Sequence, residues 1–378
     1  MKNSPYTNMK QLLLILAVVA LVGCGESSPV NESTLTDDDR LTAELPAAEQ
    51  GDVVAQNNLG WMYAKGEGVE QDFKEAAKWF QKAADQGYAK AQAKLGLMYY
   101  KGQGVEQDFK EAIKWYLKAA DQGDAEAQNN LGAICQNGEG VEQDFKEAFK
   151  WLKKAVDQGD AIAQHNLGWM YYKGQGVEQD FKEAAKWFQK AADQGYAKAQ
   201  RCLGLMYQND EGVEQDFKEA VKWLKKAVDQ GDAKAQNSLG FIYERGQGVE
   251  QDFKEAVKWY QKAADQGFAE AQSYLAFMYA KGQGVEQDFK EGGKWWQKAA
   301  DQGDAKAQYN LGWMYYNGKG VEQNSVIAYA WYKIAAANGK VQGKYNKDTI
   351  AKKMTPEQIT KAEELIKEMV KKNPKLMD

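Results

Sequence analysis

The chain has 378 residues, more than one compact hydrophobic core usually holds, and a formal net charge of −5. Lysines alternate with acidic residues along most of the chain, so the sequence lacks the basic stripe that binds nucleic acid. The charge pattern therefore excludes a nucleic-acid-binding protein. The length exceeds that of one compact domain, but a repetitive array has no such limit on its length.

The N-terminus has the pattern of a secretory signal. Lys2 and Lys10 supply positive charge, and residues 12–21 form an apolar segment too short to span a bilayer as a mature helix. The segment ends in LVGCG, which resembles the lipobox of bacterial lipoproteins, with Cys24 as the residue that is diacylated. The alternative is an ordinary secretory signal with a cysteine in this place by chance. Met9 also begins a complete signal, so either methionine can be the start.

The lipoprotein resemblance implies a signal peptide over residues 1–23 and a polar tether over residues 24–35. Two or more acyl chains on one residue give stable membrane anchoring. Gly25 stands where inner-membrane lipoproteins of Gram-negative bacteria tend to carry Asp. The resemblance therefore implies an outer-membrane lipoprotein that faces the periplasm.

Residues 36–51 read as a degenerate half repeat. Ala47–Gly51 (AAEQG) matches Ala83–Gly87 (AADQG) one period later, and Thr36 takes the place of a helix-capping Asp. Pro46 interrupts the pattern, and proline removes a helical hydrogen bond. We therefore expect a short or kinked helix here.

A 36-residue period dominates the rest of the chain. A Leu-Gly pair recurs on this grid without insertion, and Ala276 fills one glycine position. A fixed period of this length marks a solenoid, in which each unit buries its apolar face against its neighbours. The glycines on the grid are Gly60, Gly96, Gly132, Gly168, Gly204, Gly240 and Gly312.

The sequence of each unit predicts two helices. In the second unit the first helix covers residues 89–101 and ends at a glycine-rich loop. Asp108 is expected to cap the second helix, with Glu111 completing a capping box, and Gly123 ends it. In the fifth unit Asp210 replaces the first loop glycine, which Asp can do in the left-handed conformation. We predict an all-α fold of eight helix-turn-helix repeats over residues 52–339.

The repeat carries three strings in order: A-x-A-Q-x-x-L-G-x-M-Y, then G-x-G-V-x-x-D, then A-x-K-W-x-x-K-A-A-x-x-G. This pattern resembles the Sel-1-like repeat family, relatives of the tetratricopeptide repeats. The resemblance implies an α/α right-handed superhelical solenoid whose first helices line a concave face. It also implies adaptor roles in protein complexes.

The last repeat and the tail differ from the rest. The second helix of the last repeat, over residues 324–335, replaces the usual charges with apolar residues, so it needs cover on more sides. A tail helix from Pro356 to about Lys371 is expected to supply that cover, with Thr355 as its cap and Gln358 closing a capping box. We therefore assign residues 340–378 to a C-terminal cap.

Variation between repeats separates predicted core from predicted surface. Trp115 and its equivalents never change, which predicts core. On the first helices two stripes lie on nearly opposite sides, and the variable stripe is expected to be exposed. His165 belongs to that stripe and is predicted to be a surface residue. Aromatic and Arg side chains anchor interfaces. The predicted partner-binding residues are Trp61, Tyr100, Trp169, Tyr172, Arg201, Phe241, Phe277, Tyr309, Trp313 and Tyr316.

Catalytic and metal-binding signatures do not occur in the sequence. Cys135 and Cys202 lie two repeats apart and are expected to be isolated thiols. No S-x-x-K, G-x-S-x-G, H-E-x-x-H or C-x-x-C string is present, so neither an enzyme nor a cofactor is expected.

The sequence predicts a membrane-anchored periplasmic scaffold that binds a protein or peptide partner in its groove. One alternative is a cell-wall-related enzyme or binder of the β-lactamase type, as in a cysteine-rich branch of the family, although paired cysteines are missing here. Another alternative is a surface-exposed factor that contacts a host.

Overall fold

The structure, a computed structural model, describes residues 37–377, with side chains from residue 41 onward. Within this range every regular element is helical: nineteen α-helices and one short 3-10 helix. The predicted signal peptide, the tether, Cys24 and Thr36 lie outside the described residues. Two compact units are present, divided between Gln107 and Asp108.

Helix α1 (Asp37–Glu49) precedes eight helix pairs, numbered repeats 1 to 8. The first helices of the repeats are α2 (Val53–Lys65), α4 (Ala89–Lys101), α6 (Ala125–Asn137), α8 (Ala161–Lys173), α10 (Ala197–Asn209), α12 (Ala233–Arg245), α14 (Ala269–Lys281) and α16 (Ala305–Asn317). The second helices are α3 (Phe73–Asp85), α5 (Phe109–Asp121), α7 (Phe145–Val156), α9 (Phe181–Asp193), α11 (Phe217–Asp229), α13 (Phe253–Asp265), α15 (Phe289–Ala300) and α17 (Ser325–Ala337). Then follow α18 (Val341–Ala351), α19 (Pro356–Lys372) and the 3-10 helix (Pro374–Met377).

In repeats 1 to 7 an aspartate caps the second helix, as the sequence predicts. The Asp108 carboxylate accepts hydrogen bonds from the backbone N–H groups of Lys110 and Glu111, at 2.9 and 3.0 Å. The predicted capping box is wrong, because Glu111 instead binds the Lys114 ammonium at 2.9 Å. The same Glu–Lys pair, three residues apart, recurs on the second helices of repeats 1 to 7.

The first loop glycine requires the left-handed conformation, and Asp210 adopts it as predicted, with φ 62°. Gly284, the second loop glycine of repeat 7, has φ +73°, and a Cβ there would lie 2.2 Å from the carbonyl oxygen of Phe253 in repeat 6. The loop glycines therefore have separate roles, since the second also sets the approach of adjacent repeats.

A buried glutamine joins most of the repeats to the helix before them. Gln200 is 4% exposed, and its Nε2 donates to the Ala192 carbonyl at the end of the preceding second helix, at 3.2 Å. Its Oε1 accepts from Gln230 at 2.9 Å. These bonds satisfy the buried amide and also a carbonyl at the end of a helix. The bond from the glutamine to the preceding helix recurs in repeats 1, 2, 3, 7 and 8.

Repeat 7 shows why one grid position holds Ala276. In repeat 5 a Cβ on Gly204 would lie 3.1 Å from the Ala220 carbonyl, so this helix pair packs too closely for a side chain there. In repeat 7 the methyl group belongs to Ala276, and Gly292 stands where Ala220 stands. A Cβ on Gly292 would lie 2.9 Å from the Ala276 carbonyl. The small residue has therefore moved to the facing helix.

The two ends of the described chain differ from expectation. Helix α1 is thirteen residues long and continues through Pro46, so the predicted shortening is wrong. At the C-terminus α19 has the predicted Thr355–Gln358 capping box. The sequence missed α18, however, where Lys347 and Asp348 replace the Leu-Gly pair of the repeats and form an ion pair at 2.9 Å.

Candidate functional site

The first helices of the repeats present one half-exposed side chain directly after each Leu-Gly pair. Phe277 is 40% exposed and Trp61 is 36% exposed, whereas Trp169, Phe241 and Trp313 are half-buried. Six of the eight tryptophans at one position of the second helices are buried, with Trp115 and Trp223 only 4% and 5% exposed, and Trp151 and Trp259 are half-buried. The prediction that Trp115 is core is confirmed.

An aromatic hollow of about 400 Å³ lies between repeats 7 and 8. Its polar groups are the side chains of Lys281, Gln287 and Asn310, among the described residues that line it. Its walls are otherwise apolar, which is the composition of a site for a large apolar side chain. The apolar lining residues are Phe277, Ala280, Phe289, Trp296, Tyr309 and Trp313.

A charged hollow of about 310 Å³ adjoins the aromatic hollow and shares Phe277 and Asn310 with it. The Glu244 carboxylate accepts a hydrogen bond from the Tyr260 hydroxyl at 2.7 Å. Burial, together with this bond, raises the pKa of Tyr260, so the phenol stays protonated. Three carboxylates face two cations here, because the charged lining residues are Glu244, Arg245, Glu270, Asp304 and Lys306.

A third space, the amide hollow, lies between repeats 3 and 4 and encloses about 530 Å³. Lys173 is the one charged residue among the described residues that line it. The remaining lining residues are two aromatics and five side-chain amides, namely Phe145, Trp169, Gln136, Asn137, Gln143, Asn166 and Gln175.

His165 is buried, at 7% exposure, so the prediction of a surface histidine is wrong. The Trp169 indole N–H donates to its Nε2 at 3.1 Å, and the Phe188 and Tyr196 rings lie 5.6 and 5.2 Å from its ring. Burial lowers the pKa of His165 to about 4, so the ring is neutral at physiological pH. The residue at this repeat position differs between repeats because it packs between repeats, not because it faces solvent.

Cys202 lies beside His165, with the sulfur 3.9 Å from Nε2. Burial raises the pKa of this thiol to about 11. A protonated thiol beside a neutral imidazole is not the thiolate–imidazolium pair of cysteine nucleophiles. Cys135 and Cys202 are both free, as predicted.

The other predicted binding residues are held by contacts within the protein. Arg201 forms an ion pair with Asp232 at 3.3 Å, and the Tyr172 hydroxyl donates to Glu211 at 2.9 Å. The Tyr316 hydroxyl accepts from Lys353 at 3.2 Å. Tyr309 is half-buried against Tyr332, 5.5 Å away between ring centroids, and Tyr100 is also half-buried. The expected exposure of the variable stripe is therefore found at Trp61 and Phe277, whereas the other predicted binding residues are half-buried and His165 is buried.

The structure brings Phe277, Tyr309 and Trp313 together in the aromatic hollow, whereas Trp169 lines the amide hollow. Sequence reasoning missed Asn310 and Arg245, which line the hollows from the first helices. Variation between repeats at the last turn of each first helix could have indicated this lining, since Ala280 and Gln136 occupy the same repeat position.

Metal-binding clusters and membrane-spanning helices are both absent from the described residues. Across residues 37–377 no group of three or more His, Cys, Asp or Glu side chains is arranged to hold a metal ion. Over the same residues no helix has both the length and the apolar character to cross a bilayer.

The Sel1 repeat model matches eight consecutive segments, which are residues 53–88, 89–124, 125–160, 161–196, 197–232, 233–268, 269–304 and 305–340. A Sel1 repeat protein from Oxalobacter formigenes is 31% identical, with a TM-score of 0.60, over 89% of this chain and 99% of that one. A protective antigen of uropathogenic Escherichia coli with an SLR fold is also 31% identical, with a TM-score of 0.57, over 92% of this chain and 90% of that one. No curated protein matches.

Proposed function

The chain belongs to the Sel1 repeat family, and we propose from this that it is a non-catalytic scaffold binding an extended segment of a partner protein across the first helices of repeats 6 to 8. Proteins built from such repeats are solenoids that typically mediate protein–protein interactions. The observation that carries the proposal is the pair of adjoining hollows, which share Phe277 and Asn310.

The composition of the two hollows defines the partner segment. The aromatic hollow takes an aromatic or large aliphatic side chain, since Phe277, Trp296 and Trp313 line it. The charged hollow favours a basic side chain next to it, because three carboxylates face two cations there. The Asn310 amide, which lines both hollows, can donate to and accept from the backbone of an extended segment.

Phe277→Ala is expected to weaken partner binding at least tenfold, because aromatic anchors carry much of the energy of an interface. Its effect on the melting temperature is expected to be small, since the side chain is 40% exposed and Ala133 stands at the same position of repeat 3. Binding to the captured partner is measured by calorimetry. Leu117→Ala is the matched control, because Leu117 is 38% exposed on a second helix. Equal affinity of both variants would contradict the proposed surface.

The proposal places this scaffold at the outer membrane, facing the periplasm, with a lipid on Cys24. Its support is the sequence pattern of the N-terminus, an apolar segment followed by LVGCG. Two or more acyl chains on one residue are sufficient for stable anchoring.

Cys24→Ser is expected to abolish incorporation of labelled fatty acid and to leave the precursor unprocessed, because lipid attachment needs the thiol. Labelling and gel mobility are compared with a Cys135→Ser variant, which lacks a different thiol and should be processed normally. Unchanged labelling of Cys24→Ser would disprove the lipoprotein proposal and would leave the binding surface untouched.

A further inference from the structure

The amide hollow and the aromatic hollow occupy the same place in the repeat but have different chemistry. Both contain the loop glutamine and the phenylalanine of the second helix, and both contain an Asn and a Trp from the next first helix. Asn166 and Trp169 correspond to Asn310 and Trp313. The difference arises from Gln136 and Asn137, which stand where the aromatic hollow has Ala280 and Lys281.

The amide hollow offers no seat for a large apolar side chain. Phe277, Trp296 and Tyr309 line the aromatic hollow, and their equivalents Ala133, Leu152 and His165 do not line the amide hollow. Five side-chain amides, two aromatic rings and the Lys173 ammonium remain. No carboxylate belongs to the described residues that line it, so the hollow does not select a cation.

The amides that line this hollow differ in how far the protein already binds them. Gln143 donates to the Gln136 carbonyl at 2.6 Å, and Asn166 donates to Asn129 at 2.9 Å. In the part of the chain that the structure describes, the side-chain amides of Gln136 and Gln175 have no hydrogen bond to the protein, and both residues are half-buried. Each amide offers two donors and an acceptor oxygen to a ligand.

Trp169 is held in place at the side of this hollow. Its N–H is bound to His165, and the Tyr172 and Phe188 rings pack against it edge to face at 5.1 and 5.7 Å. Trp169 is half-buried, so part of its ring is open to solvent, and the exposed Lys173 ammonium lies 5.4 Å from the ring centroid. The face of an indole carries negative charge density that attracts partially positive C–H groups.

From this lining we infer that the amide hollow binds a neutral oligosaccharide. Sugar hydroxyls both donate and accept, as side-chain amides do, and the C–H face of a pyranose ring packs on an indole. The volume of about 530 Å³ lies within the range of ligand sites and has room for a disaccharide. A peptide is less well matched, since the aromatic seat of the other hollow is missing. This inference is independent of the protein partner proposed for repeats 6 to 8.

The test is calorimetric titration of the full chain with cellobiose, maltotriose, N,N′-diacetylchitobiose and a glucuronic-acid disaccharide. We expect millimolar or tighter binding of a neutral member. We expect Trp169→Leu to weaken it at least tenfold, and Leu97 and Leu205 occupy this repeat position naturally. Trp313→Leu, the same change in the aromatic hollow, should leave sugar binding unchanged.

Gln136→Ala combined with Gln175→Ala is the second variant, and it decides the case if Trp169→Leu does not fold. Neither side-chain amide has a hydrogen bond to residues 37–377, so the double variant should melt like the parent chain and lose sugar affinity at least tenfold. Absence of binding across the panel would overturn the inference. So would sugar affinity that survives in the double variant.

Discussion

Trp223→Ala is expected to lower the free energy of unfolding by about 3–5 kcal/mol, the usual cost of truncating a large core side chain. The indole is 5% exposed and belongs to the buried cluster that contains Phe188 and Cys202. Because repeats are stabilised by their neighbours, the loss should appear in the repeats around the substitution. Denaturant titration with hydrogen exchange would measure both its size and its place.

Lys226→Ala is the matched control for that variant. The Lys226 ammonium lies 4.0 Å from the centroid of the Trp223 ring, so its removal deletes the contact on the indole without opening the core. A small fraction of the loss caused by Trp223→Ala is expected. If both variants unfold at the same denaturant concentration, the tryptophans of the second helices are not the core of the repeat.

Gly284→Ala is expected to cost about 2–5 kcal/mol, since it combines two penalties. An alanine with φ near +73° is strained by about 1–2 kcal/mol. Its Cβ would also lie 2.2 Å from the Phe253 carbonyl oxygen, so adjacent repeats would have to move apart, and such overpacking costs about 1–3 kcal/mol. Thermal melting of the purified chain would measure the effect.

Gly282→Ala, two residues earlier, separates these two penalties. Gly282 also has positive φ, at +67°, but its nearest contact for a Cβ is the Gln287 side chain at 3.1 Å, within the same loop. An alanine here has the same conformational strain as at Gly284 but no clash with the backbone of the preceding repeat. We expect a much smaller loss than for Gly284→Ala. Equal losses would mean that the loop conformation alone, and not the contact between repeats, limits this position.

The sequence predicted the repeat architecture because each helix carries its own local signals. The first helix of repeat 2 covers Ala89–Lys101 as predicted, since an αL glycine, Gly102, ends it. The start of the next helix was predicted for the same kind of reason, because Asp108 caps it. Helix α18 escaped prediction because its charged Lys347 and Asp348 replace the Leu-Gly signal.

The site was less predictable, because variation between repeats has two physical causes. At Phe277 variation does accompany exposure, whereas at His165 the varying side chain packs among the Phe188 and Tyr196 rings. The hollows depend on pairs of residues from adjacent repeats. Ala280 lines an aromatic hollow and Gln136 an amide hollow at the same repeat position, and neither space can be derived from one helix alone.

Site-specific photocrosslinking in intact cells tests the proposed binding surface most directly. A photoreactive amino acid replaces Phe277 or Trp313 in the aromatic hollow, and as controls it replaces Leu117 or Val341, which are exposed elsewhere at 38% and 76%. We predict that one partner protein crosslinks at both hollow positions, through a segment that pairs a large apolar residue with a basic one, and at neither control. A partner that crosslinks at Leu117 or Val341 and not at Phe277 or Trp313 would contradict the account.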